Sequence, residues 1–145
     1  MRGGSHERAL RRAGRYGDGW ITTVPDIDGF RADLGKVRDA ARAAGRDIAD
    51  LGPVGLYATF HLERDGDKAR AEAPEHIRAY FGAHTRGESN DFFGSPDEIA
   101  QRLQGFVAAG LTMVVMRFVE QDLAKQVGLV REALGFLRPV HTAGS

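Results

Sequence analysis

The sequence predicts an α/β fold with parallel strands, and three observations carry this prediction. Segments with a helical apolar period alternate along the chain with short β-favouring segments. The run at residues 54–62 is almost continuously apolar, as is typical of a strand covered on both faces. Residues 3–21 join a glycine turn, a short helix and a strand, which is the crossover unit of such a fold. Strands that alternate with helices run parallel, so we expect an open sheet with unpaired edges.

Length and composition narrow the class of protein. The 145 residues fit one domain with a substantial core. Charged residues make up 28% of the chain and cancel to a net charge of zero, which argues against nucleic acid or an anionic membrane as a partner. The chain has no cysteine and no apolar run near the roughly 18 residues of a membrane span. It also lacks a signal-peptide pattern, so we expect a cytoplasmic protein.

The elements of the first third follow from apolar spacing and turn residues. A short helix leads into a strand at residues 19–24, which Pro25 closes. A second helix from about Asp28 to Ala44 presents one apolar stripe, and Gly45 is a natural terminator for it.

The middle of the chain contains the second strand and a helical insertion. The strand spans Val54 to Leu62. Residues 65–82 favour helix, but Pro74 predicts two short helices or one helix that breaks there. The polar segment 83–90 is predicted to be a mobile loop.

The last third opens on the clearest helix start in the sequence. Ser95 caps, Pro96 takes the first helical position and Glu98 completes a capping box, while Gly110 ends the helix. A third strand follows at 111–118. The closing helix carries its apolar residues at helical spacing and stops at Pro139: Leu123, Val127, Val130, Leu134 and Leu137. We expect one domain over 1–139 and a disordered tail over 140–145.

The opening glycines suggest an anion site. Gly3, Gly4 and Ser5 stand at the start of a helix, where free backbone N–H groups meet the positive end of the helix dipole. Such a turn can hold a phosphate. The alternative is a terminus that binds nothing, because no strand precedes the turn.

Three segments resemble the C-terminal half of the bacterial luciferase-like monooxygenase family. They are Gly3-Gly4-Ser5 with the following Arg8-to-Trp20 stretch, then Gly94-Ser95-Pro96-Asp97-Glu98-Ile99-Ala100, and then Ala108-Ala109-Gly110-Leu111-Thr112-Met113-Val114-Val115. The resemblance implies the C-terminal portion of a β/α (TIM) barrel, with three to four parallel strands, covering helices and a helical insertion. It also implies a truncated chain, because the family's first four strands are absent.

The same resemblance implies a function. It implies an oxidoreductase that uses FMN or a deazaflavin coenzyme (F-420) on a small organic substrate, with the cofactor phosphate held by Gly3, Gly4, Ser5 and Arg8. The family's usual proton-handling residues lie in the missing half, so no catalytic residue is assigned. The alternative is a non-catalytic half-barrel that binds a phosphorylated ligand or serves only in assembly. A third alternative is a gene remnant without a function of its own. We expect a homodimer or association with the missing amino-terminal segment.

His61 is one of three candidate substrate contacts. It stands at the carboxyl end of a strand, where active sites of β/α barrels lie. A general acid or a substrate contact is one interpretation, and a structural histidine is the favoured one. The spacing of His61, His76 and His84 along the chain does not match a metal site, so no metal is predicted.

Arg117 and Tyr80 are the other two candidates. A charge inside an apolar strand needs a partner, so Arg117 is expected to face a cofactor or anionic substrate, or to form a salt bridge with Glu120 or Glu63. The insertion covers the pocket in the resembling family, which makes Tyr80, with Phe81 and His84, a candidate contact. The alternative, favoured for Tyr80 and Phe81, is that they dock the insertion on the barrel.

Overall fold

The computed structural model describes residues 6–24, 26–82 and 90–138. Helices and strands alternate as the sequence predicts, with a 3-10 turn before the second strand. The elements are α1 (Glu7–Tyr16), β1 (Trp20–Thr22), α2 (Ile27–Ala43), the 3-10 turn (Ile48–Asp50), β2 (Val54–Leu62), α3 (Gly66–Phe81), β3 (Asn90–Gly94), α4 (Pro96–Ala109), β4 (Met113–Phe118) and α5 (Leu123–Gly135).

Four parallel strands form one open sheet with β2 at its centre. Strand β4 pairs along one edge of β2, from Gly55↔Met113 to Phe60↔Phe118. The other edge of β2 pairs with β1 near its amino end and with β3 near its carboxyl end. The expected α/β architecture of three to four parallel strands is therefore confirmed.

One face of the sheet is covered by helices and holds the core. Phe60 of β2 is fully buried and stacks on Phe92, with ring centroids 4.8 Å apart. Leu34 of α2 and Leu103 of α4 belong to the same buried cluster. Burial of this face supplies most of the apolar contact area that holds the helices on the sheet.

The opposite face, here called the inner face, carries alternate residues of β1, β2 and β4: Ile21, Gly55, Tyr57, Thr59, His61, Met113, Val115 and Arg117. Toward the amino end this face is open, since Ile21 is 46% exposed and Met113 and Val115 are each 38% exposed. Gly55 lies between Ile21 and Met113, where a Cβ would come within 2.9 Å of the Met113 side chain. In a closed β/α barrel such side chains fill the interior.

Helix α1 runs in the same direction as α2. Gly14, near the end of α1, packs so closely on α2 that an added Cβ would lie 2.1 Å from the Val37 carbonyl oxygen. The guanidinium of Arg46 caps the end of α1 by donating to the carbonyls of Gly14 and Gly17 at 2.6 and 2.8 Å. Because α2 begins after β1 and ends before β2, both helices end at the amino edge of the sheet.

Helix α3 corrects the prediction made from Pro74. It is one continuous helix through that residue, neither two helices nor a broken one. Pro74 removes one backbone N–H from the helix interior. Ala69 and Ala73, which precede Pro74 on the same helix, are fully buried. Tertiary packing of this buried face stabilises the helix although the backbone N–H at Pro74 is missing.

Two further elements differ from the sequence prediction. Strand β3 was missed, because its five residues gain a strand conformation only by pairing with β2. In α5 the predicted apolar stripe is largely exposed, with Leu123 at 55% and Val127 at 48%. Val130 of the predicted stripe is buried as expected, and Gln126, Leu129 and Ala133 complete the buried face of the helix. None of the helices in the described part of the chain is both long enough and apolar enough to cross a membrane.

Candidate functional site

A pocket of about 580 Å³ lies at the carboxyl end of β4, beside Tyr57 in the middle of β2. Its wall is formed by strand residues such as Tyr57 and Arg117, by Glu120 after β4, and by Tyr80 from α3. Parallel strands bring their carboxyl ends to one edge of the sheet, which is where ligands of β/α folds bind. The volume lies within the range of small-molecule sites.

Arg117 points from the inner face into this pocket. Its neighbours Met116 and Phe118 pack on the helix-covered core, so strand alternation turns Arg117 the other way. Its guanidinium donates a hydrogen bond to the hydroxyl of Tyr57. It also lies 4.6 Å from the ring centroid of Tyr57 and 5.2 Å from that of Phe81, within range of cation–π attraction. Two aromatic rings therefore hold the cation in place.

The predicted salt bridge from Arg117 to Glu120 or Glu63 is wrong. Both carboxylates form ion pairs with Lys125, on the first turn of α5. Its Nζ pairs with Glu63 and lies 3.4 Å from Oε1 of Glu120. The hydrogen bond from Lys125 lowers the pKa of Glu63, and the same contact raises the pKa of Lys125. Within the described residues, no carboxylate lies within ion-pair distance of Arg117, which leaves its positive charge available to a ligand.

His61 lies on the inner face of β2, where α3 covers its side chain. Its side chain is fully buried, with Nε2 3.4 Å from Oε2 of Glu72 and Nδ1 3.7 Å from Oε2 of Glu120. Its ring lies 4.6 Å from that of His76, between centroids. Burial lowers the pKa of His61, and the hydrogen bond that its ring donates to Glu72 opposes this by raising the pKa. This environment agrees with the structural interpretation, and a substrate contact by His61 stays a prediction.

Tyr80 lies at the end of α3 beside the pocket. It is 55% exposed, and its ring packs edge-on against Phe81 with centroids 4.9 Å apart. Phe81 contacts Arg117, so this pair of aromatic residues docks α3 near the pocket while Tyr80 forms part of the wall. A role for Tyr80 toward a substrate remains a prediction.

Of the four predicted cofactor residues, the structure describes one, Arg8. Arg8 is exposed on the first turn of α1. Gly3, Gly4 and Ser5 lie outside the described residues, as does His84 of the insertion. The phosphate-binding interpretation of this turn is therefore untested by the structure.

Several residues of this edge were missed by sequence reasoning. Tyr57 shares the inner face with Thr59 and His61, so alternation along β2 could have placed it beside Arg117. Glu72 was also missed, although it lies four residues before His76 on α3, a spacing that puts both on one helix face. Lys125 carried no comparable signal, because its partner Glu63 lies 62 residues away along the chain.

Comparison with known proteins agrees with this architecture. A family model described as luciferase-like monooxygenase matches residues 1–130. The 5,10-methylenetetrahydromethanopterin reductase of Methanopyrus kandleri is 26% identical over 123 residues, which are 85% of this chain and 32% of the reductase.

Two solved structures share the fold. An F-420-dependent secondary alcohol dehydrogenase in complex with an F-420–acetone adduct matches with a TM-score of 0.71 and 17% identity, over 91% of this chain and 46% of the dehydrogenase. A riboflavin lyase with modified FMN and riboflavin matches with a TM-score of 0.68 and 15% identity, over 97% of this chain and 44% of the lyase. The chain thus spans a third to a half of the length of these relatives. On the family match, it belongs to the luciferase-like monooxygenases.

Proposed function

We propose that this chain binds FMN or the deazaflavin coenzyme F-420 at the carboxyl edge of its sheet and contributes to the oxidoreduction of a small organic substrate. Arg117 carries the proposal: it is a cation in a pocket, supported by two aromatic rings, with no carboxylate partner among the described residues. The ring systems of both cofactors bear carbonyl oxygens, which accept hydrogen bonds from a guanidinium. The relatives that carry such cofactors support the choice of ligand.

The residues around the pocket fit a ligand of this kind. Tyr57, Tyr80 and the apolar side chains of β4 offer flat and apolar surface to a ring system, and Arg117 offers the positive charge. Such a cofactor, when bound, supplies the electron or hydride transfer that no side chain can perform. The chain binds and orients it: the Tyr57 hydroxyl and the Phe81 ring hold the guanidinium of Arg117 in one position.

The phosphate of the cofactor is proposed to bind at the start of α1. Gly3 and Gly4 would let the backbone approach the phosphate, Ser5 would donate a hydrogen bond, and Arg8 would add charge. The direction of α1 supports this proposal. The helix ends at the amino edge of the sheet, and its ten residues span about 15 Å, so its first turn lies toward the carboxyl edge. His61 and Tyr80 are proposed to lie on the substrate side.

Titration of the chain with FMN and with F-420, each oxidised and reduced, tests the proposal. We expect saturable binding of one cofactor with a dissociation constant in the micromolar range, measured by calorimetry or ligand fluorescence. Absence of binding to either cofactor at millimolar concentration would contradict a site within this chain. Ribose 5-phosphate is the control ligand, since equal affinity for it would show that only the phosphate is recognised.

A second candidate function is a half-barrel module that acts through assembly or binds a phosphorylated ligand without catalysis. The open amino end of the inner face favours it, because Ile21, Met113 and Val115 present apolar surface to solvent. A second copy of the chain, or a separate segment with the remaining strands, would cover this surface. Binding of ribose 5-phosphate as tight as that of either cofactor would favour this candidate.

A further inference from the structure

We propose that His61, Glu72 and His76 form a binding site for a divalent transition-metal ion, and that Zn²⁺ fits it best. The site lies between β2 and α3, behind the pocket wall. One ligand atom from each of the three residues lies within 4.8 Å of the other two. The proposal does not depend on which cofactor the pocket takes.

The distances are close to those of a coordinated ion. Metal bonds of about 2.0–2.2 Å in a tetrahedral site place neighbouring ligand atoms about 3.4 Å apart. Nε2 of His61 and Oε2 of Glu72 are already 3.4 Å apart. The His76 ring lies beside that of His61, so a rotation of His76, which is only half-buried, completes the set.

The imidazole of His61 has a hydrogen-bonding problem that a cation removes. A neutral imidazole carries one N–H and one lone pair. Here Nε2 faces the carboxylate of Glu72 and Nδ1, which has no hydrogen-bond partner, faces that of Glu120. Whichever nitrogen holds the proton, the lone pair of the other meets a negative charge.

A metal ion on Nε2 resolves this conflict. The lone pair of Nε2 and the charge of Glu72 then converge on the ion, and the proton on Nδ1 points toward Glu120. This carboxylate–histidine–metal order is the usual outer arrangement of zinc sites. The carboxylates on the other side of the ring already have protein partners, because Lys125 pairs with Glu63 and Glu120, and Lys68 lies 3.9 Å from Oε2 of Glu63.

The donor set favours zinc over calcium or magnesium. Two imidazole nitrogens and one carboxylate oxygen are ligands of zinc, while calcium and magnesium take oxygen ligands. Lys68 pairs with Oε1 of Glu72 at 3.6 Å and leaves Oε2 to the ion. Three protein ligands leave a fourth position open, and the side chain of Glu72 is 34% exposed, which gives the ion a route in from solvent.

Calorimetric titration of the chelator-treated full chain with ZnCl₂, and absorption spectra with CoCl₂, test the site. We expect one Zn²⁺ per chain, a higher Tm with zinc, and the visible bands of tetrahedral Co²⁺. Glu72→Gln and His76→Asn should each weaken zinc binding about tenfold or more. The exposed Glu75 on the same helix gives the matched control, and Glu75→Gln should bind zinc like the wild type.

Two results would overturn the proposal. One is the absence of saturable zinc binding to the folded wild-type chain at millimolar concentration. The other is binding that Glu72→Gln and His76→Asn leave unchanged, since that would place the ion elsewhere on the surface. Both variants alter side chains with solvent exposure, and circular dichroism checks that each remains folded.

Discussion

The side-chain amide of Gln126 makes both backbone hydrogen bonds that a strand neighbour would make to Leu62. The Leu62 N–H donates to Oε1 of Gln126 at 2.9 Å, and Nε2 of Gln126 donates to the Leu62 carbonyl at 2.9 Å. Strand β4 pairs with β2 only as far as Phe118↔Phe60. The fully buried amide thus continues the ladder by one step and joins α5 to the carboxyl edge, beside Glu120.

Loss of this amide should destabilise the fold. Gln126→Leu leaves the N–H and carbonyl of Leu62 buried without partners, at a cost of about 1–3 kcal/mol in the free energy of unfolding. Thermal and urea unfolding measure the change. Gln101→Leu, at an exposed position on α4, is the matched control and should unfold like the wild type. Equal stability of Gln126→Leu and the control would contradict the structural role of the amide.

The pair of Glu98 and Arg70 should make stability depend on acid pH. A hydrogen bond from Arg70 lowers the pKa of Glu98 below its ordinary 4.5, and Glu98 also accepts from the N–H of Ser95 in the capping box. A carboxyl group with a lowered pKa in the folded chain stabilises it above pH 4.5, and this contribution disappears as the pH falls through the folded pKa. The Tm of the wild type should therefore exceed that of Glu98→Gln at neutral pH, and the gap should close in acid.

Scans of Tm against pH for both proteins check this prediction. Glu75→Gln serves as control, because Glu75 makes no ion pair with a described residue. A gap between wild type and Glu98→Gln that persists or widens in acid would contradict the assignment.

The open part of the inner face should drive self-association. We expect the wild type to dimerise in sedimentation equilibrium, and Val115→Asp, which places a charge among exposed apolar residues, to be shifted toward monomer. Leu134→Asp is the control, since it introduces the same charge at an exposed apolar residue of α5, where Leu134 is 46% exposed. A wild type that stays monomeric would contradict the prediction of self-association, and a dimer that Leu134→Asp dissociates but Val115→Asp does not would show that the inner face is not the contact surface.

The sequence predicted those elements whose bounds are set by neighbouring residues, such as caps and runs of apolar side chains. The bounds of β2 and the capping box of Ser95 and Glu98 agree with the structure, and α2 differs from its prediction by one residue at each end. Local sequence patterns did not predict the elements whose structure depends on contacts with distant parts of the chain. Strand β3 exists through pairing with β2, and α3 stays continuous through Pro74 because its buried face packs on the rest of the fold.

The candidate site shows the same division. Arg117 was found because a charge in an apolar strand is visible in the sequence, and its alternation predicts the face it occupies. The partner of Arg117 could not be chosen from the sequence. Glu63 and Glu120 were the candidates, but both carboxylates form ion pairs with Lys125 of α5. Likewise, His61 and His76 are distant in sequence and meet only because α3 packs against the carboxyl end of β2.

The proposed phosphate anchor gives a prediction about a glycine. Gly4→Val adds a branched side chain where the backbone should approach the phosphate, and should weaken cofactor binding about tenfold, roughly 1.4 kcal/mol. Calorimetry with FMN and F-420 measures it. Riboflavin lacks the phosphate of FMN. If the variant no longer binds the phosphate, riboflavin and FMN should bind it with similar affinity. An unchanged dissociation constant for the variant would remove this turn from the site.

The most direct test of the proposed function is cofactor binding by Arg117→Met. Methionine keeps apolar contact with Tyr57 and Phe81 but removes the charge and the hydrogen bonds of the guanidinium. We expect the dissociation constant of the bound cofactor to rise about tenfold or more, while Arg131→Met, at an exposed position on α5, binds like the wild type. Equal cofactor affinity of Arg117→Met and the wild type would contradict the placement of the cofactor at the carboxyl edge beside Arg117.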